Sequence, residues 1–306
     1  MNGFLLINKQ VGDSSFDVIR KLRRITGIRK MGHAGTLDPL AQGLMIIAIN
    51  EATKLLQYIL KENKTYETTI EFGKTSETYD MEGPITTVDQ KNYTTPLKEE
   101  IEKSIKINFL GKITQLPPKY SALKINGKKA CDIMRNGGEV ELKTRQITID
   151  EFSLQNYIWP NASFKIQCST GTYIRSLISD LGNKLKCGAY IKTLNRTSIQ
   201  DQTLDKAITL TKKTTLKDIK NSLISIEEFT KKFPKIEIKE NDMFKFMNGM
   251  RIKACEQKNY TENQYLTLAT HKTKVIGVLN DTNLKNNELK LKKKIHLKSF
   301  ELITSI

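Results

Sequence analysis

The strongest constraint on the fold of this chain is a change of character at one point. A glycine-rich stretch, Gly32-His33-Ala34-Gly35-Thr36-Leu37-Asp38-Pro39-Leu40-Ala41-Gln42-Gly43, runs directly into the apolar segment Leu44 to Ile49. An apolar run of strand length without alternation has to be covered on both faces. The fold must therefore place packed layers on either side of that strand. Upstream, Phe4 to Asn8 reads as a short strand. Ser14 with Asp17 three positions on reads as the start of a helix from Phe16 to Ile25, stopped at Gly27. The glycine-rich stretch, expected as loop from Gly32 to Gly43, is thus held between a helix and a buried strand, a common position for functional loops.

Beyond it, Thr53 to Leu60 has helical spacing. Thr65 to Phe72 alternates, with Tyr66, Thr68, Ile70 and Phe72 on one face. Pro96 to Ile107 reads as a charged amphipathic helix, and Leu116 to Ser121, with two prolines, as extended or turn. Arg145 to Leu154, Ser163 to Cys168 and Ala189 to Leu194 read as strands. Thr172 to Lys186 reads as a helix with Ile174, Leu177, Ile178, Leu181 and Leu185 on its apolar stripe. Strands and helices without regular βαβ alternation imply an α+β fold. A boundary is expected between Glu227 and Pro234, followed by a small β-rich, basic segment ending in Lys290-Leu291-Lys292-Lys293-Lys294.

Charge narrows the partner. Lys and Arg number 50 against 33 Asp and Glu, a formal net charge of +17. Such an excess opposes compaction and suits a polyanion, of which nucleic acid is the commonest. Arg20, Lys21, Arg23, Arg24, Arg29 and Lys30 lie just before the glycine-rich loop. Cys131, Cys168, Cys187 and Cys255 are scattered, and with only His33, His271 and His296 they form no zinc-ligand spacing. No metal or cofactor is expected. Isolated thiols, no signal-like start and no apolar stretch of membrane length point to the cytoplasm.

An Asp-Pro pair in a glycine-rich loop is ordinarily a turn, an arginine at a helix start is ordinarily solvated, and a strand tyrosine is ordinarily core. Here these features recur in company: Asp38 and His33 in the loop, Tyr66 on a strand, and Gly171-Thr172-Tyr173-Ile174-Arg175-Ser176 at a helix start. Together with Lys64-Thr65-Tyr66, Pro117-Pro118-Lys119-Tyr120-Ser121-Ala122-Leu123-Lys124, Asp180-Leu181-Gly182, Cys187-Gly188-Ala189 and Leu194-Asn195-Arg196, the segment 32–44 resembles the TruB family of pseudouridine synthases in order and spacing, from residue 4 to about 200.

The resemblance implies a mixed β-sheet catalytic domain over 1–230 with an RNA-clamping insertion at 105–145, and a small PUA-like domain over 231–306, the latter resting mainly on Phe246-Met247-Asn248-Gly249. It implies isomerisation of uridine 55 in the T-arm of tRNA after base flipping, with no cofactor, by a monomer needing no protein partner. Asp38 would be the catalytic carboxylate, paired with Arg175. Tyr66 would stack on the uracil, Leu194 would line the pocket, and His33 would sit beside the T-loop. Tyr173, Lys9 and Asp80 complete the expected substrate contacts. The chain departs from the family in three places. Lys9-Gln10-Val11-Gly12 lacks a proline, so a looser turn is expected. Glu77 stands for an aspartate, and Cys131 for a tyrosine in the insertion. A guide-RNA-dependent enzyme acting on ribosomal RNA and a non-catalytic RNA-binding protein are the alternatives. The insertion argues against the first and the set Asp38, Tyr66, Arg175 against the second.

Overall fold

A computed structural model describes residues 1–125, 127–253, 267–279, 288–289 and 291–295. Cys255, His296 and Lys290 lie outside them. The chain begins with β1 (Gly3–Lys9) and α1 (Ser15–Thr26). The Ser14 side chain accepts the Asp17 amide while Asp17 returns to the Ser14 amide, and Gly27 closes the helix in the left-handed region, as its lack of a Cβ permits. β2 (Met31–His33) and β3 (Gln42–Ile49) follow. The expected twelve-residue loop is therefore shorter, because Met31 to His33 pairs with Ile47 to Ile49. A 3-10 turn (Asn50–Leu55) and α2 (Leu56–Ile59) lead to β4 (Lys64–Phe72) and the small hairpin β5 (Lys74–Ser76) and β6 (Ile85–Thr87).

Then come α3 (Lys98–Asn108), β7 (Gly111–Gln115), the ribbon β8 (Lys124–Ile125) and β9 (Lys128–Lys129), α4 (Ala130–Arg135), β10 (Arg145–Ile158), β11 (Asn161–Cys168), α5 (Ile174–Lys184), β12 (Ala189–Ile199) and β13 (Gln202–Thr203). The main sheet runs β1-β3-β12-β4-β11-β10-β7, with β2 on β3 and β13 on β12. Every pairing is antiparallel except β3 with β12, which is parallel at Asn195–Gln42 and Arg196–Gly43. β7 ends the sheet on the side away from β1, and Ile105 of α3 and Phe109 just after it are core. Within the expected insertion, the described residues outside the main sheet are 116–125 and 127–144, with β8, β9 and α4.

Both faces of the sheet are covered, as the run Leu44 to Ile49 requires. Leu5, Ile7, Met45, Ile47 and Ile49 face a core shared with α1 and α5. Phe4, Leu6, Leu44, Ile46 and Ala48 face the opposite core. After α6 (Leu216–Asn221), whose Ile219 belongs to the first core, α7 (Ile226–Phe229) reaches the second one, where Phe229 stacks on Phe4 with ring centroids 4.0 Å apart. The remainder forms β14 (Lys235–Glu237), α8 (Glu240–Met247), β15 (Ile252–Lys253), β16 (Leu268–His271), β17 (Lys274–Leu279), β18 (Glu288–Leu289) and β19 (Leu291–Lys294). A four-stranded sheet, β14-β16-β17-β19, places Leu268, Val275 and Val278 in the second core beside Phe4. The small β-rich unit is therefore packed onto the back of the main sheet.

Candidate active site

The loop carrying Asp38 is pinned from beneath. The Ser15 hydroxyl donates to the Leu37 carbonyl (3.1 Å) and accepts the Leu37 amide (2.8 Å), so the buried first turn of α1 holds the loop. The Pro39 carbonyl accepts the Gly12 amide (2.9 Å) and the Lys9 ammonium (3.3 Å). Lys9 also donates to the carbonyls of Gln10 (3.0 Å) and Asp13 (2.6 Å). The turn lacking its proline is thus stitched by a buried lysine rather than loosened. Burial, partly offset by Asp13 and Asp38, brings the Lys9 pKa down to about 8.

Asp38 meets Arg175 across a cavity of about 250 Å³. Arg175 enters on the first turn of α5, after Gly171 (φ +84°) and Tyr173, the residue that caps the helix. The helix begins at Ile174, the first residue of the apolar stripe and two residues after the expected start at Thr172, because the Tyr173 backbone is occupied: Gln115 of β7 accepts its amide (2.9 Å) and donates to its carbonyl (3.0 Å). Arg175 Nε lies 2.9 Å from Asp38 Oδ2 without a well-directed hydrogen bond. Arg175 Nη1 lies 3.2 Å from Asp80 Oδ2 and donates to the Thr78 carbonyl (2.8 Å), and Nη2 donates to the Tyr120 carbonyl (3.0 Å). The Asp38 side chain is 33% exposed and that of Asp80 1%. One arginine therefore joins an accessible carboxylate to a buried one.

Tyr66 and Leu194 line the same cavity. Their placement follows from register: Tyr66 on β4 sits opposite Arg196 on β12, and Leu194 is one same-face step along β12. Arg196 is 1% exposed. Its Nε donates to the Leu44 carbonyl (2.7 Å) and its Nη2 to the Gly35 carbonyl (3.1 Å). It also neighbours the Tyr66 hydroxyl, whose pKa is raised by burial against the lowering pull of Arg196. The close approach of β3 and β12 requires Gly43, at φ +108°, where a Cβ would come within 2.4 Å of the Arg196 carbonyl oxygen. Lys64 lies in the cavity wall with its ammonium on the carbonyls of Glu62 (2.6 Å) and Leu60 (3.1 Å), and burial lowers its pKa to about 8.

The expected residues divide accordingly. Asp38, Tyr66, Tyr173, Arg175 and Leu194 line one cavity. Lys9 and Asp80 do not line it: each is 1% exposed, Lys9 contacting the Pro39 carbonyl and Asp80 contacting Arg175. His33 stands at the end of β2, outside the cavity lining. Burial, then the charge of Arg196, lowers its pKa against the Gly35 backbone. The sequence reading did not single out Arg196, Lys64, Gln115 or Arg145 as site residues. For Arg196 and Lys64 the only signal was membership of the motifs Leu194-Asn195-Arg196 and Lys64-Thr65-Tyr66.

Comparison with known proteins identifies the family. The TruB family pseudouridylate synthase N-terminal domain matches residues 23–174. The tRNA pseudouridine synthase B of Clostridium novyi (strain NT) is 40% identical over 252 residues, covering 82% of this chain and 86% of that protein. The one from Endomicrobium trichonymphae is 41% identical over 199 residues, covering 65% and 85%. Among solved structures, a chain of a Cbf5–Nop10–Gar1 complex superposes with a TM-score of 0.70 at 18% identity, covering 97% of this chain and 86% of that one. A chain of an H/ACA RNP bound to a substrate RNA containing 2′-deoxyuridine gives 0.67 at 17%, covering 97% and 86%. At that identity the likeness concerns the fold alone, whereas the sequence relatives carry the assignment: the chain belongs to the TruB family of pseudouridine synthases.

Proposed function

We propose that this protein is a tRNA pseudouridine synthase that isomerises uridine 55 of the T-arm, with Asp38 as its catalytic residue. The observation that carries the reading is the accessible Asp38 carboxylate held by Arg175 beside Tyr66 and Leu194 in one cavity. Uridine becomes pseudouridine when the N1–C1′ bond breaks, a C5–C1′ bond forms and the C5 proton is released as N1 takes one up. A carboxylate with oriented neighbours suffices. The target base must leave its stack, which costs a few kcal/mol. A tyrosine platform such as Tyr66 returns about 1–3 kcal/mol of that by stacking. Leu194 and Tyr173 complete the apolar walls, Arg175 aims Asp38, and Lys9 and Asp80 fix the two partners from behind. His33 would stand beside the T-loop. Residues 1–230 would form the catalytic domain and 231–306 a PUA-like RNA-binding domain, the enzyme acting as a cytoplasmic monomer.

The fold likeness to the Cbf5 chains raises a guide-RNA-dependent reading. Against it stands the segment 116–144 between β7 and β10, which carries Lys119, Lys124, Lys128, Lys129, Arg135 and Lys143 and would offer a direct grip on tRNA. Purified protein with a T-arm hairpin and no other RNA should form pseudouridine at the T-loop uridine. Asp38→Asn should bind the hairpin and form none, and product from Asp38→Asn would remove Asp38 from its role. Mapping pseudouridine in tRNA from cells lacking the protein should show loss at that position alone.

A further inference from the structure

The uracil and C1′ of a flipped nucleotide must reach Asp38, so its two flanking phosphates stay at the mouth of the cavity. Little of the positive charge already there is accessible to them. Arg175 is shared by two carboxylates, so Asp38, Asp80 and Arg175 together carry one net negative charge. Lys64 and Arg196 are buried and spent on backbone carbonyls. A polyanionic strand approaching Asp38 needs a cation elsewhere on the rim.

Among the described residues lining the cavity, one cation has no carboxylate partner and is only half-buried: Arg145, the first residue of β10. Its backbone is fixed in the sheet opposite Gln115. Its guanidinium lies 5.1 Å from the centroid of the Tyr173 ring, and its Nη1 donates to the Gly171 carbonyl at 3.3 Å. A planar cation stacked on an aromatic face and tethered by one edge keeps its remaining N–H groups in a fixed fork, which matches the two oxygens of a phosphodiester. The same Tyr173 backbone is clamped by Gln115, so support and fork are anchored to a single strand pair, β7 and β10.

We propose that Arg145 binds a backbone phosphate flanking the target nucleotide, with Tyr173 as its stacking support, and so positions the sugar of that nucleotide against Asp38. The inference rests on the RNA-isomerase reading above but is tested separately from it. The probes are a T-arm hairpin and a series in which single phosphates beside the target uridine are replaced by uncharged methylphosphonate. On the unmodified hairpin, Arg145→Ala should lower kcat/KM by about 10- to 100-fold, the scale of a lost charge-assisted hydrogen bond. Arg145→Lys should recover part of this as a point charge. The slope of log affinity against log salt should fall by about 0.7, one single-strand phosphate contact. At one replaced phosphate, wild type and Arg145→Ala should become equal. An Arg145→Ala defect of the same size on every methylphosphonate hairpin would overturn the proposal and leave Arg145 as mere support for Tyr173. So would an unchanged salt slope in a variant with a native melting temperature. Equilibrium binding by wild type and Arg145→Ala reads the phosphate contact without turnover. A hairpin that is bound with this Arg145 dependence but never isomerised would refute the enzymatic reading and keep the contact.

Discussion

Arg196 offers the sharpest test of how the site is built. It is fully buried, bridges the carbonyls of Leu44 and Gly35, and lies against the Tyr66 hydroxyl. Arg196→Met keeps an unbranched apolar stem and removes the guanidinium, so the buried Leu44 carbonyl and the half-buried Gly35 carbonyl lose their donors. Each costs about 1–3 kcal/mol when left unsatisfied, or roughly 2–6 kcal/mol together, a large part of the about 5–15 kcal/mol that holds a typical domain folded. At about 2 °C per kcal/mol for a large domain, melting should drop by roughly 4–12 °C. Arg196→Lys reaches one carbonyl and should lose about half as much. The Gly35 contact fixes the loop that presents Asp38, and a misplacement of about 1 Å costs on the order of 100-fold in rate. Thermal unfolding and single-turnover pseudouridine formation, measured on the same preparations, should therefore fall in the order native, Lys, Met. An Arg196→Met protein that melts within about 2 °C of native and turns over at the native rate would refute the argument that this arginine ties loop, strand and tyrosine together.

Gly43→Ala should destabilise by roughly 2–5 kcal/mol, read as a shift in urea midpoint, because its Cβ would collide with β12 at a backbone angle unfavourable to alanine; an unshifted midpoint would contradict the close strand approach. Asp80→Asn keeps an acceptor for the Glu82 amide and the Thr78 hydroxyl but removes charge from Arg175. It should lower kcat with KM little changed, while an unaltered kcat would show that Arg175 does not need its buried partner. His33 is held below its ordinary pKa by burial and by Arg196. The unfolded chain therefore takes up a proton near pH 6.5 that the folded chain refuses, and stability falls as pH drops below about 6.5. His33→Asn should flatten the dependence of unfolding free energy on pH below about 6.5; the same slope in both proteins would rule His33 out as its source.

Elements bounded by local chemistry were legible in the sequence. α1 follows from Ser14, Asp17 and Gly27, and the buried face of β4 from alternation at Tyr66, Thr68, Ile70 and Phe72. Two of the strands that the sequence did not reveal were hidden for opposite reasons. Met31 to His33 contains Gly32, which reads as loop, yet packs its open side against Leu56. Gly111 to Gln115 is a short edge strand whose Lys112 and Thr114 face water, so it lacks an apolar signature. The site divides the same way. Asp38, Tyr66 and Arg175 stand out as motif residues. Arg196 does not, since an arginine on a strand reads as solvent-facing until its carbonyl partners on β3 and the loop are known. Gln115 and Arg145 acquire meaning only through the pairing of β7 with β10.

The pairing of Arg175 with two carboxylates bears on the chemistry itself. A buried guanidinium left without a counterion costs several kcal/mol. Were Asp38 its only partner, any step that drew Asp38 toward the substrate would carry that cost. Asp80, with the carbonyls of Thr78 and Tyr120, satisfies Arg175 whether or not Asp38 is engaged. The off-axis contact between Arg175 Nε and Asp38 fits the same logic: the carboxylate is held close and aimed, but not locked. On the proposed role of Asp38, the buried carboxylate leaves the accessible one free to react, and Asp80, a charged residue that never faces the cavity, would then belong to the catalytic arrangement.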